Sequence, residues 1–298
     1  MKVCIVFNPT ARGDKAVRFR RELQSLASEW SLIPTDAPGA GRRLATQAVR
    51  EGFQTIVAAG GDGTVNEVLN GWLDACGSDP TPKLGVIPLG TVNVFAKELG
   101  LPTSLDMALS VIRQGITRWV DVPTVALQTE TGSRESRAFA QLGGAGLDSR
   151  AIARVRYHWK RKIGPLAYVV AGLEALRESA PIIEVTSEER SAAGDLVLIG
   201  NGRYYGGKIT LFPEADLSDG LLDVAVFPKA HLGALLRFGA GLLTGNPHRF
   251  GGSVRWQSRR LELRCAGRMP FELDGDNVGL LPASVSLSAR RVAVIVPG

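Results

Sequence analysis

The stretch "TIVAAGGDGTVNEVLNG", Thr55 to Gly71, decides how this chain is read. Thr55–Ala59 is a short, largely apolar run, the pattern of a strand buried on both faces. Gly60–Thr64 follows as a turn with three glycines and one acid, Asp62. Beyond it, Val65, Val68, Leu69 and Trp72 share one face of a helix. Strand, turn and helix in that order form one unit of a parallel α/β sheet, with ligands expected at the carboxyl ends of its strands. The glycines allow close approach to the backbone, and the amides at the helix start suit phosphate oxygens. Asp62 would repel a bare phosphate. The turn therefore fits either a phosphate with Mg²⁺ between, or a tight turn carrying a solvated acid. It lacks the lysine of a Walker A loop and the spacing of a dinucleotide fingerprint.

The same unit recurs on both sides. Val3–Phe7 reads as a buried strand ended by Asn8-Pro9, and Ala16, Phe19, Leu23, Leu26 and Trp30 mark one helix over Asp14–Trp30. Leu84–Ile87 reads as a third strand. A helix over Asn93–Leu99 is stopped by Gly100 and Pro102, and another spans Ser104–Gln114 with Met107, Ala108, Val111 and Ile112 facing inward. The turns Asn8–Gly13, Gly60–Thr64 and Pro88–Asn93 then converge on one crevice. After Trp119 the texture changes to short β-prone runs: Val120–Leu127, Arg137–Leu142, Ile182–Thr186, Asp195–Ile199, Leu222–Phe227, Arg260–Arg264 and Val292–Val296. These predict a mostly antiparallel sandwich, interrupted by one helical stretch at about Arg150–Leu176. The expected division is an α/β nucleotide-binding domain over 1–120 and a β-sandwich domain over 121–298, whose last residues return to the first.

With 298 residues, 45% hydrophobic and 21% charged, the chain has a globular composition. Its net charge of +6 favours anionic partners. A nucleic-acid reader is not expected, because aromatics are only 6% and no basic-aromatic module is present. Cys4, Cys76 and Cys265 are scattered, as are His158, His231 and His248, which argues against a disulfide framework and against zinc. With neither a signal peptide at "MKVCIVFNP" nor an apolar run long enough to span a bilayer, a cytoplasmic protein is expected. The stretch "RAIARVRYHWKRKIG" is basic and amphipathic: it fits transient contact with an anionic membrane, or a packed helix with a solvated face.

The motifs "NPTARG", "GGDGTVNEVLNG", "PLGTVNVFAKELGLP", "WVDV", "FAQLGGAGLD", "NGRYYGG", "PEADLSDGLLDV" and "FELDGD" run along nearly the whole chain. In this order they resemble the diacylglycerol kinase catalytic-domain family, and within it the soluble YegS-like and diacylglycerol kinase B-like lipid kinases of bacteria. The first motif is shared with NAD kinases and phosphofructokinases; the "NG…GG…DGLLDV" block is more specific to lipid kinases.

The resemblance implies an NAD kinase-like first domain and ATP- and Mg²⁺-dependent phosphorylation of a lipid hydroxyl, diacylglycerol by default. ATP would be held by Asn8, Pro9, Thr10, Ala11, Arg12, Thr35, Gly61, Asp62, Gly63, Thr64, Val65, Asn66, Glu67 and Thr91. A Mg²⁺ would be held by the Asp219 carboxylate and the backbone carbonyls of Asp216 and Leu221, with Asp121 nearby. Asp276 stands where the family has its general base, usually Glu, and Asp62 is the second catalytic acid. Read by residue alone, Asp274-Gly275 is a surface type I′ turn and Asp219-Gly220 a hairpin turn. The chain departs from the family pattern at Val94, where many relatives carry Asp. The implied partners are a lipid, the surface of an anionic membrane and at most a second copy of the chain. The alternatives are a kinase of NAD or another small molecule, and a nucleotide-binding regulator with little catalysis.

Overall fold

The structure is a computed structural model that describes residues 2–11, 14–77, 82–129, 131–146, 181–207, 209–228 and 252–298. The expected helical stretch Arg150–Leu176, with its basic cluster, and Arg12 lie outside the described residues. In chain order the elements begin with β1 (Val3–Phe7), α1 (Asp14–Arg21), α2 (Leu23–Ala27), β2 (Ser31–Pro34), α3 (Ala40–Arg50), β3 (Thr55–Gly60), α4 (Asp62–Ala75), β4 (Lys83–Pro88), α5 (Val94–Glu98) and α6 (Leu105–Gln114). The second half contributes β5 (Thr117–Gln128), β6 (Arg134–Ala138), β7 (Leu142–Gly146), β8 (Ile183–Thr186), β9 (Ser191–Gly194), β10 (Leu196–Gly200), β11 (Tyr204–Tyr205) and β12 (Ile209–Thr210). It closes with β13 (Leu222–Phe227), β14 (Val254–Ser258), β15 (Arg260–Cys265), β16 (Pro270–Leu273) and β17 (Asp276–Ile295).

The first half is a parallel sheet in the order β2–β1–β3–β4, with Cys4 opposite both Ser31 and Ile56 and with Ala58 opposite Val86. Its strands β1 and β3 are buried at every position, as continuous apolar runs require. The second half is antiparallel. Its strand β10 alternates with period two: Val197 and Ile199 enter the sandwich core, while Leu196 and Leu198 face a third cluster with Leu211, Phe212 and Ala215. The two halves share an edge, because β17 pairs antiparallel with β5 and in parallel with β4 through Val294 and Leu84.

The structure differs from three of the secondary-structure expectations and adds two elements to them. The helix over Asp14–Trp30 is split, because the Glu22 amide reaches the Phe19 carbonyl at 3.1 Å in a tightened turn. Met107 is 60% exposed; α6 buries Leu105, Ala108, Leu109, Val111 and Ile112, a stripe on which Met107 does not lie. The run Arg137–Leu142 is two strands, since the amides of Ala140, Gln141 and Leu142 turn to the Asp274 carboxylate. The segment 31–50, unassigned from sequence, forms β2 and α3.

A candidate phosphotransfer site

Three turns meet at the carboxyl end of the parallel sheet. After β1, the Asn8 side chain accepts from the Thr10 amide at 2.9 Å and the Thr10 hydroxyl at 2.8 Å. Arg20 of α1 ties this turn down by donating to the carbonyls of Pro9 and Ala11, at 3.2 and 2.9 Å. After β3, α4 begins at Asp62 with Gly61 extended before it and no side-chain cap. Its first amides therefore have no side-chain cap to meet them and suit an anion. After β4, the amides of Leu89 and Gly90 donate to the Gly60 carbonyl at 2.9 and 3.2 Å, which joins the second and third turns. A Cβ on Gly90 would stand 2.5 Å from the Gly61 Cα, so only glycine permits this contact.

Asp62 bridges the same two turns. Its carboxylate accepts from the Phe95 amide at 3.3 Å, with the Val94 and Asn93 amides also directed at it, at the start of α5. Burial pushes its carboxyl above the usual range, opposed by those amides and by the Lys97 ammonium. Thr64 is buried behind the turn and Val65 is in the core, while Thr10 and Thr91 are exposed at its mouth. Thr35 extends the β1–β2 ladder, its amide donating to the Phe7 carbonyl at 2.9 Å.

Two residues of the implied nucleotide set turn elsewhere. Glu67 accepts from the amides of Gly39 and Gly41, both at 2.8 Å, and so holds the start of α3. Asn66 donates to the Ala138 carbonyl at 3.1 Å and to Asp274 at 2.8 Å, which links α4 to the second half of the chain.

Asp274 and Gly275 both have positive φ, 49° and 93°, and join β16 to β17 in a two-residue turn. The turn is as expected, but the Asp274 carboxylate is not on the surface. It accepts from the amides of Ala140 at 2.8 Å, Gln141 at 2.9 Å and Leu142 at 3.1 Å, and from Asn66 at 2.8 Å. Burial pushes its carboxyl up, while these four donors favour the ionised form. The turn so fixed presents Asp276 to the crevice. An Asp276 carboxylate oxygen lies 3.5 Å from where a Cβ on Gly63 would stand, directly against the glycine turn. Asp274 had a signal in the sequence, its Asp-Gly turn, but its acceptor role rests on amides 132 to 134 residues away.

The loop Ala215–Leu221 carries the implied metal ligands. The Asp219 carboxylate accepts from the Leu221 amide at 2.9 Å, and its carboxyl is pushed up by burial and then by the charges of Asp216 and Asp121. Excess negative charge, one carboxylate and two carbonyls suit a hard divalent cation that keeps several waters. The Asp216 side chain is taken by Arg118 and by Ser218, whose amide and hydroxyl lie at 2.8 and 2.6 Å. Asp121 accepts from the Gly220 amide at 2.8 Å and from Arg291 at 2.7 Å. No group of three or more His, Cys, Asp or Glu side chains poised for a metal occurs among the described residues.

Glycine-turn amides at the end of a parallel sheet, faced by the Asp276 carboxylate from the antiparallel half, are the parts that a phosphoryl transfer uses. Residues 2–125 match the diacylglycerol kinase catalytic domain, and residues 143–296 match the YegS C-terminal NAD kinase beta sandwich-like domain. The chain belongs to this family of diacylglycerol kinase-like phosphotransferases, which use an alcohol group as acceptor. It is 28% identical over 301 residues to a diacylglycerol kinase of Bacillus subtilis, covering 98% of this chain and 95% of the relative. It is also 28% identical over 300 residues to one of Staphylococcus carnosus, covering 98% and 94%. A crystal structure of a diacylglycerol kinase from Bacillus anthracis shares the fold, with a TM-score of 0.74 at 23% identity over 99% of this chain and 97% of that one. Yeast NADH kinase is a more distant fold relative, with a TM-score of 0.58 at 9% identity over 100% of this chain and 84% of that one.

Proposed function

We propose that this chain transfers the γ-phosphoryl group of ATP to the hydroxyl of a diacylglycerol-like lipid. The observation that carries the reading is the Asp276 carboxylate set against Gly63 of the glycine turn. The phosphates would lie on the amides of Gly61–Thr64 and the Asn8–Ala11 turn, which suits anionic oxygens. The acceptor hydroxyl would give its proton to Asp276 while its oxygen bonds to the γ-phosphorus. The bond from that phosphorus to the β–γ bridging oxygen breaks, and ADP leaves. Asp62 keeps the second and third turns in register and sets the charge beneath them. Mg²⁺ held by Asp219 and the carbonyls of Asp216 and Leu221 would neutralise charge in that loop. A lipid acceptor resides in a bilayer, and the net charge of +6 favours meeting an anionic surface.

The test is Asp276→Asn. We expect turnover to fall about 100- to 10,000-fold, the usual contribution of a general base, with ATP affinity within about twofold. Turnover at the wild-type rate would remove Asp276 from the role.

A further inference from the structure

The "NGRYYGG" segment is not used by the transfer chemistry, and Glu98 of α5 explains where it sits. The Glu98 side chain is buried and collects four donors. Its Oε2 accepts from Gln141 Nε2 at 2.9 Å, from the Arg203 amide at 2.9 Å and from the Tyr204 amide at 3.2 Å. Its Oε1 accepts from Arg203 Nε at 2.8 Å. The base of β11 is therefore fastened to the end of the short helix whose start is held by Asp62. Past β11, Gly206 and Gly207 have φ of 54° and 140°, a turn that only glycine adopts readily. A Cβ on Gly207 would stand 4.0 Å from both Lys97 Nζ and Val92 Cγ1. Val92 is 40% exposed, an apolar side chain beside Thr91 at the mouth of the site.

The strand order says which side of the site this is. The turns after β1 and β3 lie toward β2; the turn after β4 and α5 lie toward the sandwich. A nucleotide on the first two turns leaves the α5 side to the acceptor. On this side Val92 is exposed and Val94 and Tyr204 are half-buried, apolar or aromatic surface that suits an acyl glycerol rather than a soluble sugar or nucleoside, while Tyr205 packs against the cluster of Leu211 and Phe212.

We propose that β11 with Gly206 and Gly207 forms one wall of the lipid-acceptor subsite, and that Glu98 is the positioning residue that sets this wall on α5. This rests on the lipid-kinase reading. Glutamine at position 98 cannot serve the cluster. Three donors converge on Oε2 and one on Oε1, so either orientation of an amide turns its NH₂ toward a donor and leaves Arg203 unneutralised.

The experiment uses the full chain, Glu98→Gln, Arg203→Gln and Val92→Asn, with dioctanoylglycerol as acceptor. Amide exchange, nucleotide affinity and steady-state rates are measured side by side. In Glu98→Gln and Arg203→Gln we expect the amides of residues 203 and 204 to exchange about tenfold faster. The acceptor KM should rise about tenfold, with kcat within about threefold and ATP affinity unchanged, the signature of lost acceptor binding. Val92→Asn, at an exposed position, should raise the acceptor KM without changing exchange. In the wild type, dioctanoylglycerol should slow exchange at residues 203–207. Faster exchange with an unchanged acceptor KM in both cluster variants would make Glu98 a merely structural residue and overturn the proposal. No slowing by dioctanoylglycerol would overturn the wall. A wild type that phosphorylates no lipid would defeat the lipid-kinase reading itself, while the exchange data would still judge the wall. If Glu98→Gln does not fold, Arg203→Gln and Val92→Asn decide.

Discussion

The glycine turn at 60–64 and the two-residue turn at 274–275 face each other across the crevice, and they are built alike. Each spends one carboxylate on backbone amides of a neighbouring segment: Asp62 on the start of α5, Asp274 on residues 140–142. They differ in what remains to face the crevice. The first turn leaves an uncapped helix start, which attracts anions. The second leaves Asp276, an exposed carboxylate that can accept a proton. An uncapped helix start on one face and a carboxylate on the other is the asymmetry that the proposed phosphoryl transfer to a hydroxyl requires. A carboxylate in a turn is thus not by itself a catalytic signal; the donors it already holds decide.

The largest effect should come from loosening the second turn. Asp274→Ala leaves three amides without their acceptor and Asn66 with the Ala138 carbonyl alone, at a cost of about 1–3 kcal/mol in unfolding free energy. It also frees Asp276 to move, and a misplacement of about 1 Å can lower turnover roughly a hundredfold. Denaturant unfolding and steady-state rates check both, and wild-type turnover in this variant would separate the two acids. Gly90→Ala attacks the first turn: the added methyl must displace the Gly61 backbone, an overpacking cost of about 1–3 kcal/mol. Weaker ATP binding by calorimetry is expected, with residues 274–276 unmoved.

Titration should show the smallest effect. Burial raises the Asp62 carboxyl, so on lowering pH it takes up its proton before an ordinary aspartate would. The acid limb of kcat should therefore lie above the usual carboxylate range. Lys97 holds that carboxyl down, so Lys97→Met should move the limb to higher pH. A limb that stays in place would mean that Asp62 does not titrate in the rate-determining step.

Much of this architecture was legible in the chain. The strands β1, β3 and β4 are apolar runs ended by Asn-Pro, Gly-Gly and Pro-Leu, and the turns that follow them meet at one end of the sheet. The α3 helix carries a faint signal: Ala40, Leu44, Ala45 and Ala48 form a buried face, but Ala and Gly make a weak stripe and proline and glycine precede it. The break at 139–141 could not be read locally, since it depends on a carboxylate more than 130 residues away. The same distance hid the role of Asp274, and the donors to Glu98 at residues 141, 203 and 204 hid that cluster. Long-range acceptors leave no periodicity behind. Asn66 lies one turn beyond Gly63 on the same face of α4 and is taken up by Asp274, whereas Glu67, about 100° further round the helix, points to the start of α3.

The two facing turns are proposed to transfer a phosphoryl group to a lipid hydroxyl. The direct measurement is label transfer from γ-labelled ATP, offered extracted membrane lipids and NAD in parallel, by the wild type and Asp276→Asn. We expect label in the organic phase for the wild type, none on NAD, and a loss of at least about a hundredfold in the variant. Label on NAD alone, or equal lipid labelling by both proteins, would contradict the proposal.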